Sequence, residues 1–361
     1  MSNLIMDLKL QNDEYYIQNL KSQNLSATTI SVLLPIYKEP IEYIKQSIDS
    51  ILNQSFQDFR LLLLVDTGCD SPEFDTIHRE VIEYYKNESK LLILINNKNL
   101  GLSKNLNNGL KFANSKYIAR MDADDIAIRE RFEKQLEFME ERQEVSLCGS
   151  RCNLINSKGE IIGQSKSINE KELVIRMLCG INPVPHPTFF ARKDVYTLLN
   201  GYREIPAAED YDFLARMLLS KHKIHMIDDI LINYRISAGR SRISTQRRYI
   251  QLKISEIIAA NLRKCKEIEI EDVNKVLNSK QNYLFSLLDR LSLELDDLFQ
   301  RKYKRLYNKV KWPIFLISPY FLSTTIKRAL YYYRCKISHK NLLLKYLSHG
   351  TEKSCLCTAE K

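Results

Sequence analysis

The chain has 361 residues, 44% of them apolar and 27% charged, and carries a formal net charge of +10. That length suits one large domain or two ordinary ones, and that composition excludes a largely disordered chain. The opening MSNLIMDLKLQNDEYY lacks the basic start and apolar run of a secretory signal, and no stretch reaches the roughly 18 apolar residues of a membrane-spanning helix.

Residues 1–28 are polar and without a clear period, which reads as a flexible or helical arm. From Ile30 the pattern sharpens. ISVLLPIY is a buried-strand run, and IEYIKQSIDSIL spaces Ile41, Ile44, Ile48 and either Ile51 or Leu52 as one helix face, with Pro40 suited to its start. FRLLLLV (59–65) is a second strand, FDTIHREVIEYY an amphipathic helix, LLILI (91–95) a third strand and GLSKNLNNGLKFA a third helix. KYIARM is a fourth strand and runs straight into Asp122, Asp124 and Asp125. Alternating helices and wholly apolar strands predict an α/β fold, a mostly parallel sheet flanked by helices on both faces. Ligands of such sheets bind beyond the carboxyl ends of the strands, so PIYKE, DTGCD and DADD are expected on one rim.

Farther on, RERFEKQLEFMEER is a charged helix, and EVSLCGSRCNLINSKGEIIG reads as strands around a turn at Ser157-Lys158-Gly159. EKELVIRML is a helix, PVPHPTFFAR an extended segment, and AAEDYDFLARMLL a helix opening with Glu209, Asp210 and Asp212. KIHMI and ILINYRI close the globular part near Ile236, and the remainder reads as helices. The eight cysteines are scattered and no nearby histidine completes a zinc pattern, which fits reduced thiols in a cytosolic protein.

Two carboxylates one residue apart at a strand end make a hard oxygen site of the kind that Mg²⁺ or Mn²⁺ shares with phosphate oxygens. Alternatively, the acids only offset the dipole of a helix start. The Glu209–Asp212 cluster has the same two readings, as a helix cap or as the place of a general base. Together with Asp66 at a strand end, the two clusters suggest a metal, a diphosphate and a base.

Seven segments in fixed order, SVLLPIYKE, SIDSILNQSFQDFRLLLLVD, NLGLSKNLNNGLKFA, YIARMDADD, HPTFF, AAEDYDFLARM and NYRIS, resemble the family 2 glycosyltransferases from about Ile30 to Ser244. The resemblance is strongest to bacterial enzymes that build O-antigens, capsules and exopolysaccharides. It implies a GT-A fold, Rossmann-like, at 29–244, between the arm at 1–28 and a helical, basic region at 245–361. It also implies inverting, metal-dependent transfer of one sugar from a nucleotide-sugar donor, a UDP-hexose by family habit, to a growing saccharide on undecaprenyl diphosphate. By the same resemblance, Pro35, Tyr37, Glu39, Asp66, Asn107 and Asp122 bind the nucleotide-sugar. Asp122 and Asp124 hold Mn²⁺ or Mg²⁺, with Asp124 the direct ligand, and Asp210 is the base, oriented by Glu209. His186 is either near the acceptor or a structural histidine, and Arg240 and Arg242 are either diphosphate contacts or surface charges.

The sequence departs from the family pattern in places. Asp66-Thr67-Gly68-Cys69 stands where the family has Asp-Asp-Gly-Ser, and Leu106 where it often has arginine. The alternative is therefore a catalytically impaired nucleotide-sugar-binding protein on the same fold. Nucleic acid is not an expected partner, since no RNA-binding or helix-turn-helix pattern accompanies the basic clusters RSRISTQRR, RKYKR and KRALYYYRCK. Trp312 to Leu322 is apolar, short, broken by prolines and flanked by basic residues. That pattern predicts peripheral docking on the cytoplasmic face of the inner membrane, or a helical lid packed on the catalytic domain.

Overall fold

The computed structural model describes residues 15–19, 27–67, 71–236 and 248–278. Strands β2 (Thr28–Ile36), β3 (Phe59–Val65), β4 (Leu91–Asn96) and β5 (Ser115–Arg120) lie in the order β4-β3-β2-β5, all parallel. Their side chains alternate between two cores, as a period of two requires. Val32, Leu34, Leu61, Leu63 and Ile93 enter one core, and Leu33, Leu62, Leu64, Leu92 and Leu94 the other. Helix α1 (Ile41–Leu52) covers the first face with Ile44, Ile48 and Ile51. Helix α3 (Leu102–Phe112) covers the second. There Gly109 lets helix and sheet approach so closely that a Cβ would stand 2.8 Å from Leu64 Cδ1.

The expected helix at 74–85 is α2 (Pro72–Ile77) continued by a π-helical turn, His78–Ile82. The wider turn carries both Val81 and Ile82 to the core face with Ile77. Part of the segment read as a flexible or helical arm forms β1 (Tyr15–Asn19), which pairs antiparallel with β4 and extends that side of the sheet.

Beyond β5, the sheet continues through β9 (Phe190–Arg192), β7 (Val145–Ile155), β10 (Lys223–Arg235) and the short β6 (Ile126–Ala127), with β8 (Ile161–Gln164) paired to β7 as the expected hairpin. Helix α4 (Arg131–Glu141) places Phe132 and Met139 in the first core. Helices α5 (Glu170–Leu178) and α7 (Glu209–Leu219) belong to the second, and the short α6 (Lys193–Leu198) was not anticipated. KIHMI and ILINYRI form one strand rather than two. Exposed Asp228 and Asp229 mark an irregularity in its register against β7, so a local bulge looked like a break. Helices α8 (Arg248–Arg263) and α9 (Ile270–Leu277) insert Ile254, Ile258, Leu262 and Val273 into the same core as α5 and α7.

No helix among the described residues is long and apolar enough to cross a membrane. Residues 68–70, Arg240, Arg242 and the segment from Trp312 to Leu322 lie outside the described residues.

Candidate active site

The register Ile36↔Val65 ends β2 and β3 side by side, so Tyr37 and Asp66 leave the sheet together. Pro35 is buried in β2 and Tyr37 half-buried at its end, where its N–H donates to Glu39 Oε2 at 2.7 Å. Asp66 is buried. Its Oδ1 accepts from Asn96 Nδ2 and from the Leu100 N–H, both at 2.8 Å, and its Oδ2 accepts from the Gly101 N–H at 2.9 Å. A carboxylate has about four acceptor positions, so Asp66 keeps only about one for a ligand. Burial pushes its carboxyl up, and these three donors act against that. Asn96 also donates to Asn105 Oδ1 at 2.9 Å, and Asn105 to the Leu64 carbonyl at 2.9 Å. Asp66 thus belongs to a buried amide network that fixes the loop entering α3, whatever else it touches.

At the end of β5, ligand oxygens of Asp122, Asp124 and Asp125 all lie within 4.8 Å of one another. Three hydrogen bonds from two neighbours hold this turn. Ser47 Oγ donates to the Asp122 carbonyl at 2.9 Å, Arg235 Nε to the Asp124 carbonyl at 2.8 Å, and the Arg235 N–H to Asp125 Oδ1 at 2.7 Å. Arg235 also reaches Gln46 Oε1 at 2.8 Å and stacks over Tyr43 at 4.0 Å. The three acids are not equivalent. Asp125 is fully buried and is the anchor for Arg235, whereas Asp122 and Asp124 are half-buried. Asp125 Oδ2 is buried without a hydrogen-bond partner among the described residues. Burial, then Asp122 and Asp124, pushes the Asp125 carboxyl well up. Glu39 joins the same group: burial first, and Asp124 and Asp122 further, push it up to about 7. Crowded carboxylates with an orphaned oxygen are what a divalent cation relieves, and Asp122 and Asp124 suit it as ligands.

The second acid cluster divides sharply. Asp210 Oδ2 accepts from Asn182 Nδ2 at 2.7 Å and its Oδ1 from the Tyr211 N–H at 2.6 Å. Burial pushes the Asp210 carboxyl up. Glu209 is pushed up to about 8 by burial and by Asp210, with Asp122 adding to it. Both feel the charges of Arg120 and Asp122, so the two acid clusters, far apart in sequence, share one electrostatic neighbourhood. Asp212 has a different place. It is fully buried in ion pairs with Arg216, at 2.9 Å, and with Arg203. It is therefore unsuited as a substitute base. Asp212→Ala would strand the Arg216 charge in the interior, and urea denaturation should show a loss of about 3–5 kcal/mol. A variant as stable as the parent would mean that these ion pairs do not hold α7.

Asn107 and His186 both bond to Tyr202. Asn107 spends its side chain on the Tyr202 main chain: Nδ2 donates to the Tyr202 carbonyl at 2.7 Å and Oδ1 accepts from the Tyr202 N–H at 2.8 Å. The preceding Gly201 has φ +66°, and a Cβ there would meet Asn107 Oδ1 at 2.4 Å. His186 is buried, 2.9 Å from the Tyr202 hydroxyl and 4.8 Å centroid to centroid from Phe189. Burial and Arg120 push its pKa well down, which favours the neutral ring.

Sequence reasoning passed over Arg120, Arg235 and Asn182. Arg120 and Arg235 are charges inside otherwise apolar strand runs, which is the pattern that marks a buried, partnered group. Asn182 carries no such mark.

The glycosyl transferase family 2 model matches residues 31–198. Over 226 residues the chain is 31% identical to the amylovoran biosynthesis glycosyltransferase AmsE of Erwinia amylovora, covering 62% of this chain and 81% of that protein. Over 210 residues it is 32% identical to the O-antigen biosynthesis glycosyltransferase WbnJ of Escherichia coli, covering 57% of this chain and 79% of that protein. Among solved structures, the mannosyltransferase PcManGT from Pyrobaculum calidifontis in complex with GDP-Man and Mn²⁺ matches with a TM-score of 0.50. That match is 14% identical over 86% of this chain and 87% of the other, a likeness of fold alone. The fold is GT-A, and the chain belongs to the family 2 glycosyltransferases.

Proposed function

We propose that this glycosyltransferase moves a single sugar from a nucleotide-sugar donor, a UDP-hexose by preference, to a saccharide on undecaprenyl diphosphate during synthesis of a bacterial surface polysaccharide. The observation that carries the reading is the meeting of an acid cluster suited to a divalent ion, Asp122 and Asp124, with buried Glu209 and half-buried Asp210 in one electrostatic neighbourhood. In this reading Asp124 and Asp122 hold Mn²⁺ or Mg²⁺, which when bound neutralises the departing diphosphate. Tyr37 stacks on the nucleobase and Asp66 uses its remaining lone pair for a base N–H. Asp210 takes the proton of the acceptor hydroxyl as that oxygen attacks the anomeric carbon from the side opposite the diphosphate, so the configuration inverts in one displacement. The relatives AmsE and WbnJ, by their names, act in amylovoran and O-antigen biosynthesis, which supports the surface-polysaccharide setting. A lipid-bound acceptor gives a reason for docking on the cytoplasmic face of the inner membrane through the basic, aromatic region around Trp312.

The test presents a synthetic diphospholipid acceptor in anionic vesicles with Mn²⁺ and a panel of UDP- and GDP-sugars, read by mass spectrometry and followed by flotation. A single added hexose from one donor, with the enzyme floating alongside its acceptor, is the expected result. Donor turnover without any acceptor product sinks the lipid-linked reading. Donor binding without turnover points to the binding-protein alternative. Transfer by a protein that stays at the bottom of the gradient sinks the membrane contact alone.

A further inference from the structure

Arg120 is 2% exposed at the end of β5, where a hydrophobic residue would have continued the apolar run. Its backbone is held on both sides: its N–H donates to the Phe189 carbonyl at 3.0 Å, and its own carbonyl accepts from Arg131 Nη2 at 2.8 Å. Its guanidinium ion-pairs with Asp122 through Nη2. Nε and Nη1 are buried and have no hydrogen-bond partner among the described residues. Leaving buried donors unmade costs about 1–3 kcal/mol each, so stability alone gives no reason for this side chain. Its position does. The same charge acts on Asp122 and Asp125 on one side and on Glu209 and Asp210 on the other.

We propose that Arg120 is a positioning residue serving both halves of the site: it turns Asp122 toward the nucleotide and provides the counter-charge beside Glu209 and Asp210. The inference rests on the transfer reading for the roles of those acids, and on the ion pair and the orphaned donors for its geometry. On the donor side, the Asp122 carboxylate bonded to Arg120 cannot swing away, and its other oxygen stays available. On the acceptor side, Asp210 is bonded by Asn182 from the segment after α5 and by the Tyr211 N–H of α7, and feels the charges or dipoles of Arg120 from β5, Asp122 from the following turn, Tyr202 from the loop before α7 and Glu209. Among the described residues that act on Asp210, Arg120 is the cation, so its charge favours the ionised base.

Arg120→Met and Arg120→Lys, each alone and with Asp122→Asn, separate this from a merely structural role in the full-length protein. Calorimetry of UDP with Mn²⁺ reads the donor half and needs no turnover; the pH dependence of kcat reads the acceptor half. Asp122→Asn should weaken UDP at least about tenfold in the parent and less than about threefold beside Arg120→Met, since contacting residues are non-additive. The acid limb of kcat should move up by about one pH unit in Arg120→Met, a tenfold change in ionisation, and return in Arg120→Lys, which restores the charge. Equal Asp122→Asn factors in both backgrounds, or an unmoved acid limb in a folded Arg120→Met protein, overturns the proposal. Should Arg120→Met fail to fold, Arg120→Lys decides: it keeps the charge without the fork, so unchanged UDP affinity there overturns the proposal and a several-fold loss supports it. A parent protein that binds UDP but transfers no sugar, with the non-additive affinities intact, sinks the transfer reading and leaves the Arg120–Asp122 linkage standing.

Discussion

Asp210→Asn should lower kcat at least about 10²-fold, the low end for removal of a general base, while nucleotide affinity survives. The substitution is nearly isosteric but has a local consequence. Asp210 accepts from two donors, Asn182 Nδ2 and the Tyr211 N–H, and an amide oxygen can serve only one of them without turning its own NH₂ toward the other. A control follows from the geometry. Asp210→Asn combined with Asn182→Asp restores a donor–acceptor pair at that contact but moves the carboxylate to the wrong residue. This double variant should recover thermal stability and remain inactive. Recovered turnover would mean that any carboxylate at this corner suffices, and near-normal turnover in Asp210→Asn alone would move the base to Glu209. The pH dependence has a definite sign. Burial raises both carboxyls of the Glu209–Asp210 pair, and the base works only when ionised, so activity should rise with pH through a window above the ordinary carboxylate range. Product analysis is a separate check, since retention of the donor's anomeric configuration would exclude a single displacement.

Asp124→Ala should cost about 10²-fold or more in kcat/KM, on the scale of removing a transition-state charge contact, and excess chelator should silence the parent enzyme equally. Stability makes the assignment independent of turnover. At about 100 times its Kd, a bound ion stabilises the native state by about 2.7 kcal/mol, so Mn²⁺ should raise the melting temperature of the parent and leave Asp124→Ala unmoved. Full activity in excess EDTA would reject the metal role. Asp125→Asn tests the contrast within the cluster. Asp125 holds the Arg235 N–H from a fully buried position, so its loss should appear mainly as instability.

Much of the fold was legible because the central strands are buried on both faces and the helices between them have a single apolar stripe. ISVLLPIY, FRLLLLV and LLILI admit few alternatives. Harder to see were features that depend on partners distant in the chain. The Tyr15–Asn19 strand is specified by the neighbouring edge of β4 rather than by its own polar surroundings. KIHMI and ILINYRI are continuous through the bulge at Asp228–Asp229 because β7 runs alongside both. The site shows the same division. Two acid clusters could be read from spacing, and the first could be placed on the rim from where its strand ends, but the second opens a helix and its nearness to the first came with the fold. Which acid of each cluster is exposed could not. Asp212 and Asp125 look like their neighbours in sequence, and only Arg216 and Arg235, brought in by the fold, turn them into anchors. The surroundings of Asn107 and His186 were hidden for a related reason: their polar groups are engaged by Tyr202, nearly a hundred residues on in the first case.

The way Arg235 grips the β7–β8 hairpin bears on how this scaffold diversifies. It contacts the hairpin through the main-chain carbonyls of Asn156 and Ser157, at 3.2 and 3.3 Å, and Tyr43 also bonds the Ser157 carbonyl, at 3.0 Å. Main-chain oxygens are present whatever the residue. Exposed Ile161 and Ile162 of β8 can therefore change while the clamp on the Asp124 turn stays intact, whereas Asn156, whose Oδ1 accepts from the Lys158 and Glu160 N–H groups, and Gly159, at φ +85°, hold the tip itself. Such a joint is modular: a hairpin of equal length from a related enzyme, grafted here, should keep the Asp124 turn in place, and an unchanged melting temperature of the graft would check it.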